Sequence, residues 1–291
     1  MAKHYFVLSM GVVAVSFGAI FTRLAEAPFL VIAVYRLALA SLIISPVACI
    51  YSGKELRSLS KKSILLSLVA GFFLALHFAF WIASLSYTTV ASSVVLVTSH
   101  PIFVALASYF LFHEKLKRKT ILGIGICLIG AVLIGYSDSR IGLAAFAGDS
   151  LALLGALAIA AYFLIGRKLR PSTGILSYTF LVYGSATLFL LAATLVSGYS
   201  LSGYSTGTYV MLILLALVPQ LLGHSTLNWS LRFMPATLVA IAILGEPVVA
   251  TILASLFLDE IPTLVQLAGG IFILSGIFVA FGKDDIETRS R

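Results

Sequence analysis

The sequence predicts an all-α membrane protein: ten transmembrane helices in a 5+5 inverted-topology repeat, with both termini cytoplasmic. Three observations lead there. Of 291 residues, 60% are apolar and 10% charged, with a mean hydropathy of +1.10, whereas a soluble domain carries about a quarter charged residues. The basic residues fall in short clusters between long apolar runs, and the second half of the chain repeats part of the first. The composition excludes a soluble enzyme, a nucleic-acid-binding protein and a disordered chain. The net charge of +8 is spread over connections and forms no single patch. Cys49 and Cys127 lie in apolar runs without metal-ligand spacing, so they read as small hydrophobes.

A bilayer core of about 30 Å needs roughly 20 residues of helix. Apolar runs fit at 5–22, 29–50, 64–87, 89–112, 120–136, 148–167, 174–196, 207–229, 235–258 and 263–282. They lack strand-like alternation, which favours helices over a barrel. The breaks have local causes: Pro28 after Arg23 and Glu26, the Thr88-Thr89 step, the Pro171-Ser172-Thr173-Gly174 turn, and the Gly- and Ser-rich stretch from Ser197 to Gly207. With the N-terminus cytoplasmic, 16 of the 19 basic residues fall inside: Lys3, the group Lys54 to Lys62, Lys115 to Lys119, Arg167 to Arg170, Arg232, and Lys283 to Arg291. Arg23 and Arg140 fall outside, and Arg36 lies within a span. This is the positive-inside pattern of the cell membrane.

At an offset of 146, residues 83–138 align with 229–284 without a gap. Pro101 meets Pro247, Glu114 meets Glu260, Gly123 and Gly130 meet Gly269 and Gly276, and Asp138 meets Asp284. Five spans per half is an odd number, so the second half enters the membrane the other way up. The units expected are 1–140 and 146–284, followed by a short tail, 285–291. Inverted repeats around an axis in the membrane plane are an architecture of secondary transporters, with a site near the midplane.

The Ser86-Tyr87-Thr88-Thr89 connection leads to a Pro-centred helix that ends Leu111-Phe112-His113-Glu114, followed by the Gly-spaced span Gly123 to Gly135. The second half repeats this from Gly245-Glu246-Pro247 through Phe257-Leu258-Asp259-Glu260 to Gly269-Gly270 and Gly276. Across essentially its whole length the chain resembles the EamA-type transporters of the drug/metabolite transporter superfamily. That resemblance implies ten helices, a central cavity and transport of small metabolites, often amino-acid export.

Ionisable groups in lipid cost several kcal/mol and mark sites. Counting helical rise, His77, His100 and Glu246 lie about 15–18 Å deep, near the midplane. His100 and Glu246 are repeat partners, and each precedes a proline, Pro101 and Pro247, that frees backbone carbonyls one turn back. Glu246 is the leading candidate, as a proton-coupling carboxylate or the counter-charge of a substrate ammonium. Arg36 is its alternative structural partner, or the grip on a substrate carboxylate. Trp81, Tyr35, Tyr162, Gln220 and His224 are further cavity-lining candidates. Glu114 and Glu260 read as end caps or gate-side ion pairs.

The expected function is secondary active transport of a small polar or zwitterionic metabolite by alternating access, proton-coupled or by exchange. The alternative on the same fold is a flippase for a lipid or lipid-linked metabolite. An enzyme is not expected, because the chain has no nucleophile–base set or carboxylate cluster at one depth. No cofactor, metal or nucleic acid is expected. The partners are a small-molecule substrate and the bilayer, with the monomer, or else a dimer, as the working form.

Overall fold

The computed structural model describes residues 2–88, 90–112, 117–136, 143–257 and 263–280. Glu114, Lys115, Glu260, Arg140, Asp138, Asp284 and the tail lie outside the described residues. All regular structure within them is helical: α1 Ala2–Leu24, α2 Phe29–Ser58, α3 Lys61–Ser84, α4 Val90–Val97, α5 His100–Phe112, α6 Arg118–Tyr136 and α7 Leu143–Leu169, then α8 Ile175–Val196, α9 Thr206–Leu215, a π-helical stretch Ala216–His224, α10 Ser225–Ser230, α11 Ala236–Ile243, α12 Glu246–Phe257 and α13 Leu264–Ala280.

Among the described residues, eight helices are long and apolar enough to cross a membrane. Leucines, isoleucines and phenylalanines stand exposed along their outer faces, including Leu42, Ile50, Phe110, Leu188, Ile271 and Phe278. A surface of that kind is stable against lipid and unstable against water. The chain is a multi-pass membrane protein.

Helix ends follow local chemistry. Ser60 caps α3 by accepting from Ser63 N at 3.1 Å, and Ser205 caps α9 by accepting from Thr208 N at 3.1 Å. The α8 N-terminus is capped from another helix. The Glu55 carboxylate accepts from Gly174 N at 2.5 Å and from Ser177 Oγ at 2.6 Å. That use of Glu55 explains why α2 runs on to Ser58, past the apolar run that ends near residue 50.

The fourth and ninth apolar runs are broken in the same place. α4 stops at Val97 and α5 starts at His100; α11 stops at Ile243 and α12 starts at Glu246. Thr98-Ser99 and Leu244-Gly245, the intervening pairs, are related by the repeat offset, and each break lies just before the proline. A missing N–H and a ring clash with the preceding turn account for it. The eighth run departs from this symmetry: around Pro219 it widens into a π-helix.

Contacts between the halves are exchanged as a two-fold axis requires. α6 lies along α13, α3 along α7, α1 along the α9–α10 segment, and α2 along α8. A Cβ on Gly123 would sit 2.6 Å from Gly276 O, and one on Gly276 would sit 2.6 Å from Gly123 O. Gly130 meets Gly269 in the same way, so α6 and α13 cross antiparallel. Cys127 Sγ donates to Ile273 O at 3.3 Å, and Ser41 Oγ bonds Thr187 Oγ1 at 3.2 Å. Both pairs are separated by 146 residues, the repeat offset itself, as residues on the axis would be.

Candidate functional site: a charged cavity between the halves

A small cavity of about 40 Å³, room for no more than a few water molecules, opens where the broken helices meet α1, α2, α3, α7 and the π-helix. Its wall carries Arg36, His77, Trp81, Thr98, His100, His224 and Glu246, with an apolar side of Val15, Val97, Ile159, Phe163, Leu227 and Ile243. Its volume is below that of a usual small-molecule pocket, but a few polar groups converging beside an apolar side is the usual composition of one.

Arg36 is 1% exposed. Its guanidinium lies 4.1 Å from the Phe78 ring centroid and 5.9 Å from that of Trp81, held by cation–π attraction. Its Nε donates to Gln220 Oε1 at 2.9 Å, while Nη1 is buried without a partner. Glu246, also buried, faces the same cavity, and among the described residues no ion pair joins the two. The structural Arg36–Glu246 pair is therefore not formed here; the amide of Gln220 orients the guanidinium instead. Two opposite charges face one space within electrostatic reach of each other, and Arg36 keeps one buried N–H group without a partner.

The histidines are oriented by backbone carbonyls. His77 Nδ1 donates to Gly155 O at 3.0 Å, and His100 Nδ1 donates to Val97 O at 3.1 Å. Since a carbonyl only accepts, each Nδ1 carries the hydrogen, and each Nε2 is an acceptor in the neutral ring. His100 Nε2 is buried and unpartnered, as are Trp81 Nε1 and His224 Nδ1. Trp81 stacks on His77 at 6.1 Å with 6° between planes. Pro101 and Pro247 stand behind the breaks that bring His100 and Glu246 to the wall.

Three sequence candidates stand elsewhere. Tyr35 is off the wall: its hydroxyl donates to Leu201 O at 2.6 Å, and its ring meets Tyr209 edge-on at 6.0 Å. Neighbours on a helix point about 100° apart, so with Arg36 turned inward Tyr35 is not. Tyr162 is fully buried behind the wall, and Phe163 takes the lining position. Gln220 also stands behind, supporting Arg36. Trp229 lies away from the cavity, against His4 and Phe233 at 5.3 and 4.6 Å.

Sequence reasoning did not mark Phe78, Thr98 or Phe163, which lack any distinguishing pattern in a uniformly apolar run. Nor did it foresee the π-helix, although Pro219 next to Gln220 was its one local sign.

Comparison with known proteins agrees with the geometry. A family model described as the EamA-like transporter family matches residues 2–136 and again 146–282. An uncharacterized transporter of Bacillus subtilis, YxxF, is 27% identical over 223 residues, covering 75% of this chain and 70% of that protein. A Salmonella typhimurium protein named as a probable amino-acid metabolite efflux pump is 28% identical over 233 residues, 76% of this chain and 78% of that one. A solved crystal structure superposes with a TM-score of 0.79 at 15% identity, covering 97% of each chain, and so shares the fold. Both halves match the family and enclose one charged cavity, and on that basis the chain belongs to the EamA-like transporter family, whose members are membrane transporters.

Proposed function

We propose that this chain is a secondary carrier for a small zwitterion, a neutral amino acid with an apolar side chain or a close relative, crossing the cell membrane by alternating access. The observation that carries this is Arg36 and Glu246 facing one cavity without bonding each other. A carboxylate on the ligand would meet the Arg36 fork and the Trp81 N–H; an ammonium would meet Glu246 and His100 Nε2. Each would relieve a buried charge that is expensive to leave alone in lipid. The apolar side from Val15 to Ile243 would take the side chain. The Salmonella relative's name points to the same substrate class.

The exchange of contacts at the 146-residue offset supports two five-helix units inserted in opposite directions. In this reading α6 and α13 bring the eight long apolar segments to ten spans, and the basic clusters put both termini in the cytoplasm. Two such units rocking around a fixed midplane site give alternating access. Glu246 is the coupling group, releasing its proton when the ammonium arrives.

The test is L-leucine counterflow and pH-gradient-driven uptake in proteoliposomes, with lipid scrambling measured in the same vesicles. The reading predicts counterflow above empty vesicles and no scrambling. Scrambling without counterflow would make the protein a flippase and overturn it.

A further inference from the structure

A second set of buried polar groups lies beside the cavity, toward the end of the bundle that carries Lys54, Arg57, Arg167 and Arg232. It starts at Gln220, whose Oε1 holds Arg36 and whose Nε2 is buried without a partner. Tyr183 comes next, its hydroxyl 3.1 Å from Ser225 Oγ. The Asn228 side chain lies beside the hydroxyls of both Tyr183 and Tyr162. Tyr162, Tyr178 and Asn228 are 0% exposed. The Tyr178 hydroxyl has no hydrogen-bond partner, and Tyr162 and the Asn228 amide, though within reach of each other, meet without good hydrogen-bond geometry. The set ends at Arg170, 1% exposed, its guanidinium 6.0 Å from the Tyr178 ring centroid.

Arg170 repeats the setting of Arg36. Its Nε donates to Asn228 O at 3.0 Å, two turns along the same segment that holds Arg36 through Gln220. Its Nη1 donates to Thr173 O. Among the described residues no carboxylate pairs with it: both Glu55 oxygens are engaged by Gly174 N and Ser177 Oγ. A buried cation satisfied only by carbonyls, next to several orphaned hydroxyl and amide groups, is costly as scaffold. Hydroxyl and amide N–H groups between two guanidiniums make a field that favours anions.

We infer that Arg170, with Tyr162, Tyr178 and Asn228, is a second station for an anionic group: the substrate's carboxylate passes from Arg36 to Arg170 when the basic end of the bundle opens. The inference rests on the central cavity being the substrate site. No covalent step is involved; the carboxylate trades one fork for another, and Asn228 O and Thr173 O release Arg170 as it arrives.

The test uses purified full-length protein with Cys49→Ser, which removes the exposed thiol, and Asn228→Cys as reporter. Modification rates are compared for the anionic sulfonatoethyl and the cationic trimethylammonioethyl methanethiosulfonates, each scaled to its rate with free cysteine. The station predicts about tenfold preference for the anionic reagent at low salt, slowing by acetate or L-leucine, and loss of the preference in Arg170→Gln. Arg170→Lys, which keeps the charge, guards against a folding defect and retains the preference. Equal rates for the two reagents, or no modification, would overturn the station. Anion preference with no protection by L-leucine would uphold the station and refute the amino-acid reading of the cavity.

Discussion

The chemistry of the cavity rests on a few side chains whose neighbours fix their direction. Arg36 is pinned at Nε by Gln220 and from below by Phe78, which leaves one edge of its fork for a ligand. Replacing it by Gln removes a charge-assisted contact worth about 1.5–3 kcal/mol, so the KM for L-leucine counterflow should rise about 10- to 100-fold. Glu246→Gln should abolish pH-gradient-driven flux while counterflow persists with a raised KM for L-leucine, because the amide keeps the shape but loses both the proton site and the ammonium's counter-charge; unchanged pH dependence would assign Glu246 to structure. Much of this was legible in the sequence, because an ionisable residue at membrane depth is rare enough to stand out. Tyr35 and Tyr162 show the limit. Each adjoins a residue that does line the cavity, and in spans without a polar face nothing in the sequence says which neighbour turns inward.

The helices reach the site through their defects. The paired breaks before Pro101 and Pro247 follow from proline chemistry and were readable. The π-helix was not, because it depends on packing: a Cβ on Gly223 would meet Val15 Cγ1 at 2.6 Å, so the widened segment fits α1 only in this register. Pro219→Ala should let it relax toward α-helix and turn Gln220 and His224 off their present directions. Affinity for L-leucine should fall while the melting temperature in detergent is unchanged or higher, an interior proline costing about 3 kcal/mol in a helix. Against α13, Gly123→Ala should destabilise by about 1–3 kcal/mol through overpacking, read as a lower melting temperature. Gly125→Ala on the same helix is its control, since nothing lies within 4 Å of the added carbon.

Across the whole molecule, the repeat was visible in the sequence only where proline, glutamate and glycine are scarce enough to register. In the first two spans of each half the alignment is nearly silent, yet Ser41 and Thr187 meet there at the same 146-residue separation. Contact geometry retains a relation that apolar drift has erased from the letters. Residues on an axis stay together while the units around it move, so Ser41→Cys with Thr187→Cys should cross-link under oxidation and still permit counterflow. A cross-link that stops transport would place the moving boundary between α2 and α8. Arg170 was read from the sequence as one more basic residue at a span end; only the fold shows it buried.

The most direct test of the central claim is calorimetric binding of L-leucine to the purified protein, set beside isoamylamine, which lacks the carboxylate, and isocaproate, which lacks the ammonium. Two unpaired charges sharing one cavity predict that each analogue binds about tenfold or more weaker than leucine, with Arg36→Gln erasing the advantage of leucine over isoamylamine and Glu246→Gln its advantage over isocaproate. Equal binding of leucine and either analogue would contradict a zwitterion held between Arg36 and Glu246.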